Sequence, residues 1–261
     1  SDLKGTCHFS SYCPYVFADI RKIYGIDDEK FLASIGSESL ISSLMKGELR
    51  AFTELTSSGK SGSFFFYSVD GKYVLKTIRK EEYSFLRKIL KEYHEHLKTH
   101  KTTLVPKFFS LNKIHFDNFR LKRELGYDHV YFVVMNNIFS KNIFIHERYD
   151  LKGSTYKREV FPAQSYLRRD ELDFKTNRIA MKDLDFIRMK SFLDVTGAQR
   201  TRLLDILQKD CNFFEKLGII DYSLLVGVHY KDRMGTENKV STDDGEFGFE
   251  DSSEEMHEGR V

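Results

Sequence analysis

Tyr-Asp-Leu-Lys-Gly-Ser-Thr-Tyr-Lys-Arg, at residues 149–158, combines a carboxylate, two lysines, a glycine and two hydroxyls within ten positions. A lysine beside a glycine suits a polyphosphate, because glycine lets backbone N–H groups approach an anion closely. A nearby aspartate can hold Mg²⁺ or orient a partner. The stretch therefore predicts a phosphate-handling site, although on its own it also fits a surface turn.

Further motifs flank this stretch in a fixed order. Gly-Lys-Ser-Gly-Ser-Phe-Phe-Phe occupies 59–66, Lys-Asp-Leu-Asp-Phe occupies 182–186, and Ile-Asp-Tyr-Ser-Leu-Leu-Val-Gly-Val-His occupies 220–229. With 149–158 they resemble the phosphatidylinositol phosphate kinase family, over about Phe9–His229. The resemblance implies an α+β, two-lobed kinase-like fold with an antiparallel sheet and helices. It also implies ATP and Mg²⁺ as cofactors, and phosphorylation of a phosphatidylinositol monophosphate, with the 4-phosphate as first choice.

Composition excludes several other classes of protein. The chain has 261 residues, of which 41% are hydrophobic and 14% aromatic, enough to fill a core. No apolar run approaches the roughly 20 residues of a membrane-spanning helix, and no signal-peptide pattern is found, so we expect a soluble or peripheral cytoplasmic protein. Cys7, Cys13 and Cys211 are too few and too scattered for a disulfide framework or a cysteine metal site.

The charge of the chain is distributed unevenly. Residues 232–261 contain ten Asp/Glu against three Lys/Arg, so the rest of the chain carries about +9 although the total is only +2. Basic residues concentrate in 72–123 and 148–190, which could be solvated faces or a surface facing anionic lipid. Given the resemblance, we expect the latter, with attachment to phosphoinositide at the cytoplasmic face of the plasma membrane. No nucleic-acid partner is expected, and a homodimer is left open.

Periodicity predicts a small lobe at 1–137, a shortened large lobe at 138–231 and a disordered acidic tail at 232–261. The small lobe begins with a helical segment and continues as strand, strand, helix, strand. In the large lobe, a long polar surface loop precedes a helix that leads to Asp221. The predicted elements are helical segments in 13–50, strands at 63–69 and 72–78 joined by a turn at 70–71, a helix from about residue 81, a strand at 131–135, a loop at 161–190 and a helix at 200–217.

Nucleotide-binding residues are expected in the small lobe. Gly59, Ser61, Gly62 and Ser63 could cover the phosphates with backbone N–H groups, although a plain hairpin turn explains them as well. The spacing is not that of a Walker A loop. Under the resemblance, these four residues belong to the ATP site.

Lys76 lies in a predicted strand, on the same face as two apolar residues, and therefore needs an anionic partner unless it is an edge lysine reaching solvent. It resembles the nucleotide lysine of the family, with Glu82 on the next helix as the first choice for its ion-pair partner. Met135 and Asn136 resemble the hinge that would pair with adenine, and a buried strand ending in a turn is the simpler alternative.

Catalytic residues are expected in the large lobe. Asp150 and Lys152 resemble phosphate-contacting residues of the family. Asp221 lies in a nearly continuous apolar segment, where a buried carboxylate would cost several kcal/mol without a partner. The resemblance assigns Asp221 a catalytic role beside the substrate hydroxyl, and a structural cap is the alternative.

Two segments that the family carries after these motifs are not found in the sequence. They are a second Gly-Ile-Ile-Asp-like segment, whose aspartate binds Mg²⁺, and a loop that selects the phosphoinositide. We therefore expect the C-terminal part of the family domain to be missing, leave the metal ligands unassigned, and expect low activity from this chain alone. A catalytically silent phosphoinositide-binding or dimerising module is the first alternative. A protein kinase is the second, although His-Arg-Asp and Asp-Phe-Gly motifs are absent from the sequence.

Overall fold

The computed structural model describes residues 7–36, 65–68, 70–116, 128–139, 143–161, 180–189 and 195–231. Packing divides the chain into two compact units. The described residues of the first lie within Ser1–His94 and Lys107–Asn137, and those of the second within Glu95–Pro106 and Ile138–Phe247. The lobe bounds expected from the sequence stay predictions, because packing within a chain does not show that a segment folds independently.

An antiparallel five-stranded sheet forms the centre of the first unit. Its strands are β1 Cys7–Ser11, β2 Phe65–Tyr67, β3 Tyr73–Ile78, β4 Phe108–Phe116 and β5 His129–Asn136. Their order across the sheet is β1-β4-β5-β3-β2. The predicted hairpin is present, since β2 pairs with β3 and Gly71 takes a positive φ of 68° in the turn between them.

The helix predicted from about residue 81 is present as α3 (Lys80–Thr99), and it carries one apolar stripe. Its stripe residues are all buried, because spacings of three, four and seven return to one helix face. They are Tyr83, Leu86, Leu90, Tyr93 and Leu97.

The N-terminal segment is helical only in part. Helices α1 (Pro14–Ile23) and α2 (Asp28–Gly36) follow the prediction, and Phe17 and Ile20 are fully buried. Strand β1 was not predicted from the sequence. It depends on pairing with β4, about 100 residues later, which local periodicity does not report.

The second unit contains a mixed three-stranded sheet and two helices. The elements are β6 Glu147–Leu151, β7 Ala180–Met181, helix α4 Asp183–Arg188, helix α5 Gly197–Lys216 and β8 Leu224–Val228. The strand order is β7-β6-β8, and β6 pairs in parallel with β7 and antiparallel with β8. The surface loop predicted for 161–190 is therefore wrong for 180–188, which form a strand and a helix.

Helix α5 begins three residues before its predicted start, because Thr196 and Gln199 form a capping box. Its buried residues are Asp210 and Phe213, whereas an apolar stripe at helical spacing is only half-buried; the stripe consists of Leu203, Leu207, Cys211 and Phe214. The segment 40–45 and the tail 232–261 lie outside the described residues. None of the helices in the described ranges combines the length and apolar character that crossing a membrane requires.

Candidate functional site

The loop that follows β6 is fixed by the buried carboxylate of Asp183, at the first position of α4. Asp183 accepts hydrogen bonds from the backbone N–H groups of Gly153 (2.8 Å) and Lys152 (3.1 Å). It also accepts one from Nε of Arg158, at 2.8 Å. The motif 149–158 therefore folds around one anionic centre, which sets the backbone direction on both sides of Lys152.

Arg158 and Asp183 form a largely buried ion pair. Burial alone would raise the pKa of Asp183, but hydrogen bonds from Arg158 and from the backbone of Gly153 and Lys152 outweigh it and hold the pKa below its ordinary value. Arg158 also lies 3.2 Å from Oδ1 of Asp150 and donates to the backbone carbonyl of Asp150. One guanidinium group thus links the end of β6 to α4.

Asp185 anchors the next part of the loop. It is fully buried and accepts backbone hydrogen bonds from Val160 (3.0 Å), Phe161 (3.3 Å) and Lys182 (2.8 Å). The motif 182–186 contains Asp183 and Asp185 and contributes to the family resemblance, yet the sequence predicted no role for either residue. Their function as anchors depends on contacts with residues 24 to 31 positions earlier, which no spacing rule predicts.

The structure brings together Lys152 and Asp221, two of the three predicted catalytic residues. Nζ of Lys152 lies 2.7 Å from Oδ1 of Asp221, as a salt bridge. The pairing of β6 with β8 explains this proximity, because Leu151 lies opposite Leu224 and Asp150 opposite Leu225. Two motifs 70 residues apart therefore meet at adjacent strand ends.

The expectation that Asp221 is buried is wrong. Its side chain is 76% exposed and the neighbouring Ile220 is 83% exposed. The apolar run is not one strand, since α5 ends before it and β8 begins only at Leu224. Asp221 lies in the bend between them with a φ of +61°, a left-handed conformation that strains most side chains and that Asp and Asn tolerate best.

Glu147 gives β6 a second polar anchor. This carboxylate is almost fully buried and accepts hydrogen bonds from the hydroxyls of Tyr149 (2.6 Å) and Tyr230 (2.8 Å). The contact with Tyr230 ties β6 to the residues just after β8. The strands that position Lys152 and Asp221 are therefore linked by this part-buried side-chain hydrogen bond as well as by their backbones.

In the first unit, Lys76 lies half-buried on β3. Its ammonium group is 5.3 Å from the centroid of the Phe65 ring, a cation–π contact. The expected ion pair between Lys76 and Glu82 is wrong for this structure. Glu82 accepts a hydrogen bond from the backbone N–H of Arg79 at 2.7 Å, because it caps the first turn of α3.

Met135 and Asn136 end β5, the central strand of the sheet. Met135 lies opposite Val74 on one side and Phe108 on the other. The backbone N–H groups of Asn136 and Asn137 donate to the carbonyls of Lys107 and Lys72. The N–H groups of Asn136 and Asn137 are therefore already occupied. A backbone donor to adenine at this strand end would come from a residue after 137, or one of these two hydrogen bonds would have to break first.

The phosphate-covering candidates Gly59, Ser61, Gly62 and Ser63 lie outside the described residues. Among the predicted catalytic residues, the carboxylates of Asp150 and Asp221 are the groups that could hold Mg²⁺. Each already faces a cation, Arg158 and Lys152 respectively. Mg²⁺ at either would have to share the carboxylate with that cation or displace it.

Comparison with known proteins identifies the family of this chain. The family model of phosphatidylinositol-4-phosphate 5-kinase matches residues 46–260, which include the Lys152–Asp221 pair. The chain belongs to the phosphatidylinositol 4-phosphate 5-kinase family. Its α+β architecture agrees with the kinase-like domain of that family. The matching relatives are named as phosphatidylinositol 4-phosphate 5-kinases or phosphatidylinositol phosphate kinases.

Three relatives illustrate the range of the similarity. A phosphatidylinositol 4-phosphate 5-kinase of Plasmodium falciparum is 35% identical over 224 residues, 86% of this chain and 12% of the relative. The type-1 beta enzyme of Homo sapiens is 34% identical over 90% of this chain and 38% of the relative. Phosphatidylinositol 4-phosphate 5-kinase 9 of Arabidopsis thaliana is 38% identical over 85% of this chain and 23% of the relative. The chain thus spans well under half the length of these relatives.

Proposed function

We propose that this phosphatidylinositol 4-phosphate 5-kinase family chain takes part in transferring the γ-phosphoryl group of ATP to an inositol ring hydroxyl of a phosphatidylinositol monophosphate. The observation that carries the proposal is the 2.7 Å contact between Lys152 and Asp221. It places a cation suited to phosphate beside a carboxylate suited to a hydroxyl proton. Phosphoryl transfer needs these two groups close together, since the donor and acceptor oxygens lie in line.

The exposure of the pair supports an active role rather than a structural one. An exposed ion pair contributes only about 0–1 kcal/mol to stability, so a phosphate can replace the carboxylate on Lys152 at little cost. Asp221 would then be released to accept a hydrogen bond from the ring hydroxyl and to take its proton. Asp183 and Arg158 act indirectly, because they hold the backbone from which Lys152 projects.

The left-handed backbone of Asp221 supports the same assignment. Strained residues persist where the surrounding structure holds them, and they concentrate at functional sites. The short bend after α5 holds Asp221 in that conformation and directs its carboxylate toward Lys152. ATP supplies the phosphoryl group, and Mg²⁺ supplies charge compensation at the phosphates when both are bound.

Phosphatidylinositol 4-phosphate is the proposed lipid, because the matching relatives are named as kinases of that lipid. The product would then be the 4,5-bisphosphate. The lipid lies in a membrane surface, so we propose peripheral attachment at the cytoplasmic face of the plasma membrane. The positive charge of residues 1–231 supports this location.

The test is transfer of radiolabel from ATP to vesicles that contain one phosphoinositide each, with the wild-type chain and Asp221→Asn. Asparagine tolerates the left-handed backbone, so the substitution removes the charge without adding strain. Asp205→Asn is the matched control, because Asp205 forms an exposed ion pair with Lys209 at 2.6 Å on α5. We expect Asp221→Asn to lower the rate at least about 100-fold, and Asp205→Asn to leave it unchanged.

Labelling of phosphatidylinositol 4-phosphate that is insensitive to Asp221→Asn would refute the role of Asp221. Vesicle binding without any labelling by the wild-type chain would favour the silent module instead. Labelling of serine or threonine in added protein, with none of lipid, would favour the protein-kinase alternative. A homodimer would be detected by the mass of the purified chain in solution.

A further inference from the structure

Histidines line up across three strands at one end of the five-stranded sheet. In the register of the sheet, His8 on β1 lies opposite His115 on β4, and His115 lies opposite His129 on β5. Residues directly opposite each other in antiparallel strands place their side chains on the same face. The rings of His115 and His129 are 4.6 Å apart, and those of His8 and His115 are 6.1 Å apart.

The carboxylate of Asp128 joins this row. One of its oxygens contacts Nδ1 of His129, and the other lies 3.9 Å from Nε2 of His115. The ligand atoms of His115, Asp128 and His129 all lie within 4.8 Å of one another. Two imidazole nitrogens and one carboxylate therefore converge on a single small volume.

We propose that His115, Asp128 and His129 bind a divalent transition metal ion, with Zn²⁺ as the first choice. Imidazole nitrogen and carboxylate oxygen are common Zn²⁺ ligands, with bonds of about 2.0–2.2 Å. Tetrahedral coordination at that length separates ligand atoms by roughly 3.3–3.5 Å. The three ligand atoms now lie within 4.8 Å of one another, so side-chain rotations that move them by roughly 1–1.5 Å would bring them to that spacing.

Charge and exposure fit this ion. Two neutral imidazoles and one carboxylate together carry a charge of −1. This charge attracts a divalent cation more strongly than a monovalent one. All three residues are half-buried, so an ion can reach them from solvent while β4 and β5 hold the two histidines in place. The fourth position would be filled by water or, after rotation, by His8 beside His115.

The site is independent of the residues assigned to phosphoryl transfer. It lies in the first unit, and none of its ligands belongs to the ATP or lipid residues named above. Its structural effect would be to cross-link the end of β4, at His115, to the start of β5, at His129. We expect bound Zn²⁺ to raise the melting temperature, because an ion that binds only the folded chain stabilises it.

A hydrogen-bonded cluster without metal is the competing explanation, and the chain supplies a comparison. His94 and Asp19 form a 2.7 Å pair in the same unit with one imidazole and one carboxylate. That pair offers only two ligands, too few for a typical zinc site. His94→Gln is therefore a matched control that removes a histidine–carboxylate pair without touching the proposed site.

The first experiment titrates Zn²⁺ into the chelator-treated full chain against a chromophoric chelator, with circular dichroism to verify folding. We expect the wild-type chain and His94→Gln to bind one equivalent more than the double variant His115→Gln/His129→Gln. Asp128→Asn should weaken the site at least about tenfold. Reduced Cys13 and Cys211 could take up Zn²⁺ elsewhere, so the difference between variants is the decisive quantity.

A second measurement does not depend on the variants folding. Diethylpyrocarbonate labels accessible imidazoles, and mass spectrometry of the wild-type chain locates the labels. Zn²⁺ should protect His115 and His129 and leave His94 reactive. The proposal would be overturned if Zn²⁺ protected none of them, if it protected all three equally, or if the double variant kept the wild-type stoichiometry and affinity.

Discussion

Replacing Asp183 by asparagine should loosen the loop that carries Lys152. The substitution preserves the shape of the side chain but removes its charge, and it turns an NH₂ group toward donors. The carboxylate now accepts from Arg158, Gly153 and Lys152 at 2.8–3.1 Å. The side chains of Arg158 and Asp183 are only 10% and 11% exposed, so solvent replaces little of what is lost.

The magnitude follows from the ion pair. Removing one partner of a buried pair costs about 3–5 kcal/mol. Asparagine keeps one acceptor oxygen, and Arg158 keeps its contacts with Asp150, so we expect a loss of about 2–4 kcal/mol. In a chain of this size that lowers the melting temperature by roughly 5–15 °C. Asp205→Asn, which removes an exposed pair, should change it by no more than about 2–4 °C.

The pH dependence supplies a sharper test. Interactions in the folded chain lower the pKa of Asp183 below its ordinary value of 3.8. A carboxyl whose pKa is lower in the folded state stabilises the fold fully above its ordinary pKa, and this contribution is lost as pH falls through the folded value. The difference in unfolding free energy between wild type and Asp183→Asn should therefore be largest near neutral pH and shrink below about pH 4.

The assay is chemical unfolding followed by circular dichroism, with amide hydrogen exchange of Lys152 and Gly153 as a local readout, because two compact units need not unfold together. Exchange at these two amides should accelerate in the variant. Equal unfolding free energies of the two chains at pH 7, or a difference that grows on acidification, would contradict this role of Asp183.

Two other predictions concern the nucleotide and the membrane. Lys76→Met should abolish binding of a fluorescent ATP analogue while moving the melting temperature by only a few degrees, since the cation–π contact with Phe65 contributes about 0.5–1 kcal/mol. Lys113→Met is the control, because Lys113 is also a half-buried strand lysine in the same sheet. Intact nucleotide binding by the Lys76→Met variant would show that Lys76 is not part of the ATP site. Binding to vesicles with phosphatidylinositol 4-phosphate should weaken steeply between low and high salt, because salt screens exposed charges. The measurement is co-sedimentation of the chain with vesicles, and binding that does not change with salt would contradict electrostatic attachment.

Sequence alone determined the features that depend on local pattern. Spacing of apolar residues located α1, α3 and α5, since one helix face repeats every three or four residues whatever the rest of the chain does. The Asp-Gly turn located the β2–β3 hairpin for a similar reason. The motifs at 149–158 and 220–229 identified the family, because their residue types and order can be recognised without knowledge of the fold.

Burial of the polar groups, and the contacts between residues far apart in the chain, follow from the tertiary fold and not from local pattern. Asp221 sits in an apolar run and is nevertheless exposed, because burial depends on where a bend lies relative to the packed elements. Asp183 and Asp185 sit in a polar stretch and are nevertheless buried, because donors from a distant loop compensate the cost of removing their charge from water. The row of histidines has the same origin, since strand register brings together residues more than 100 positions apart.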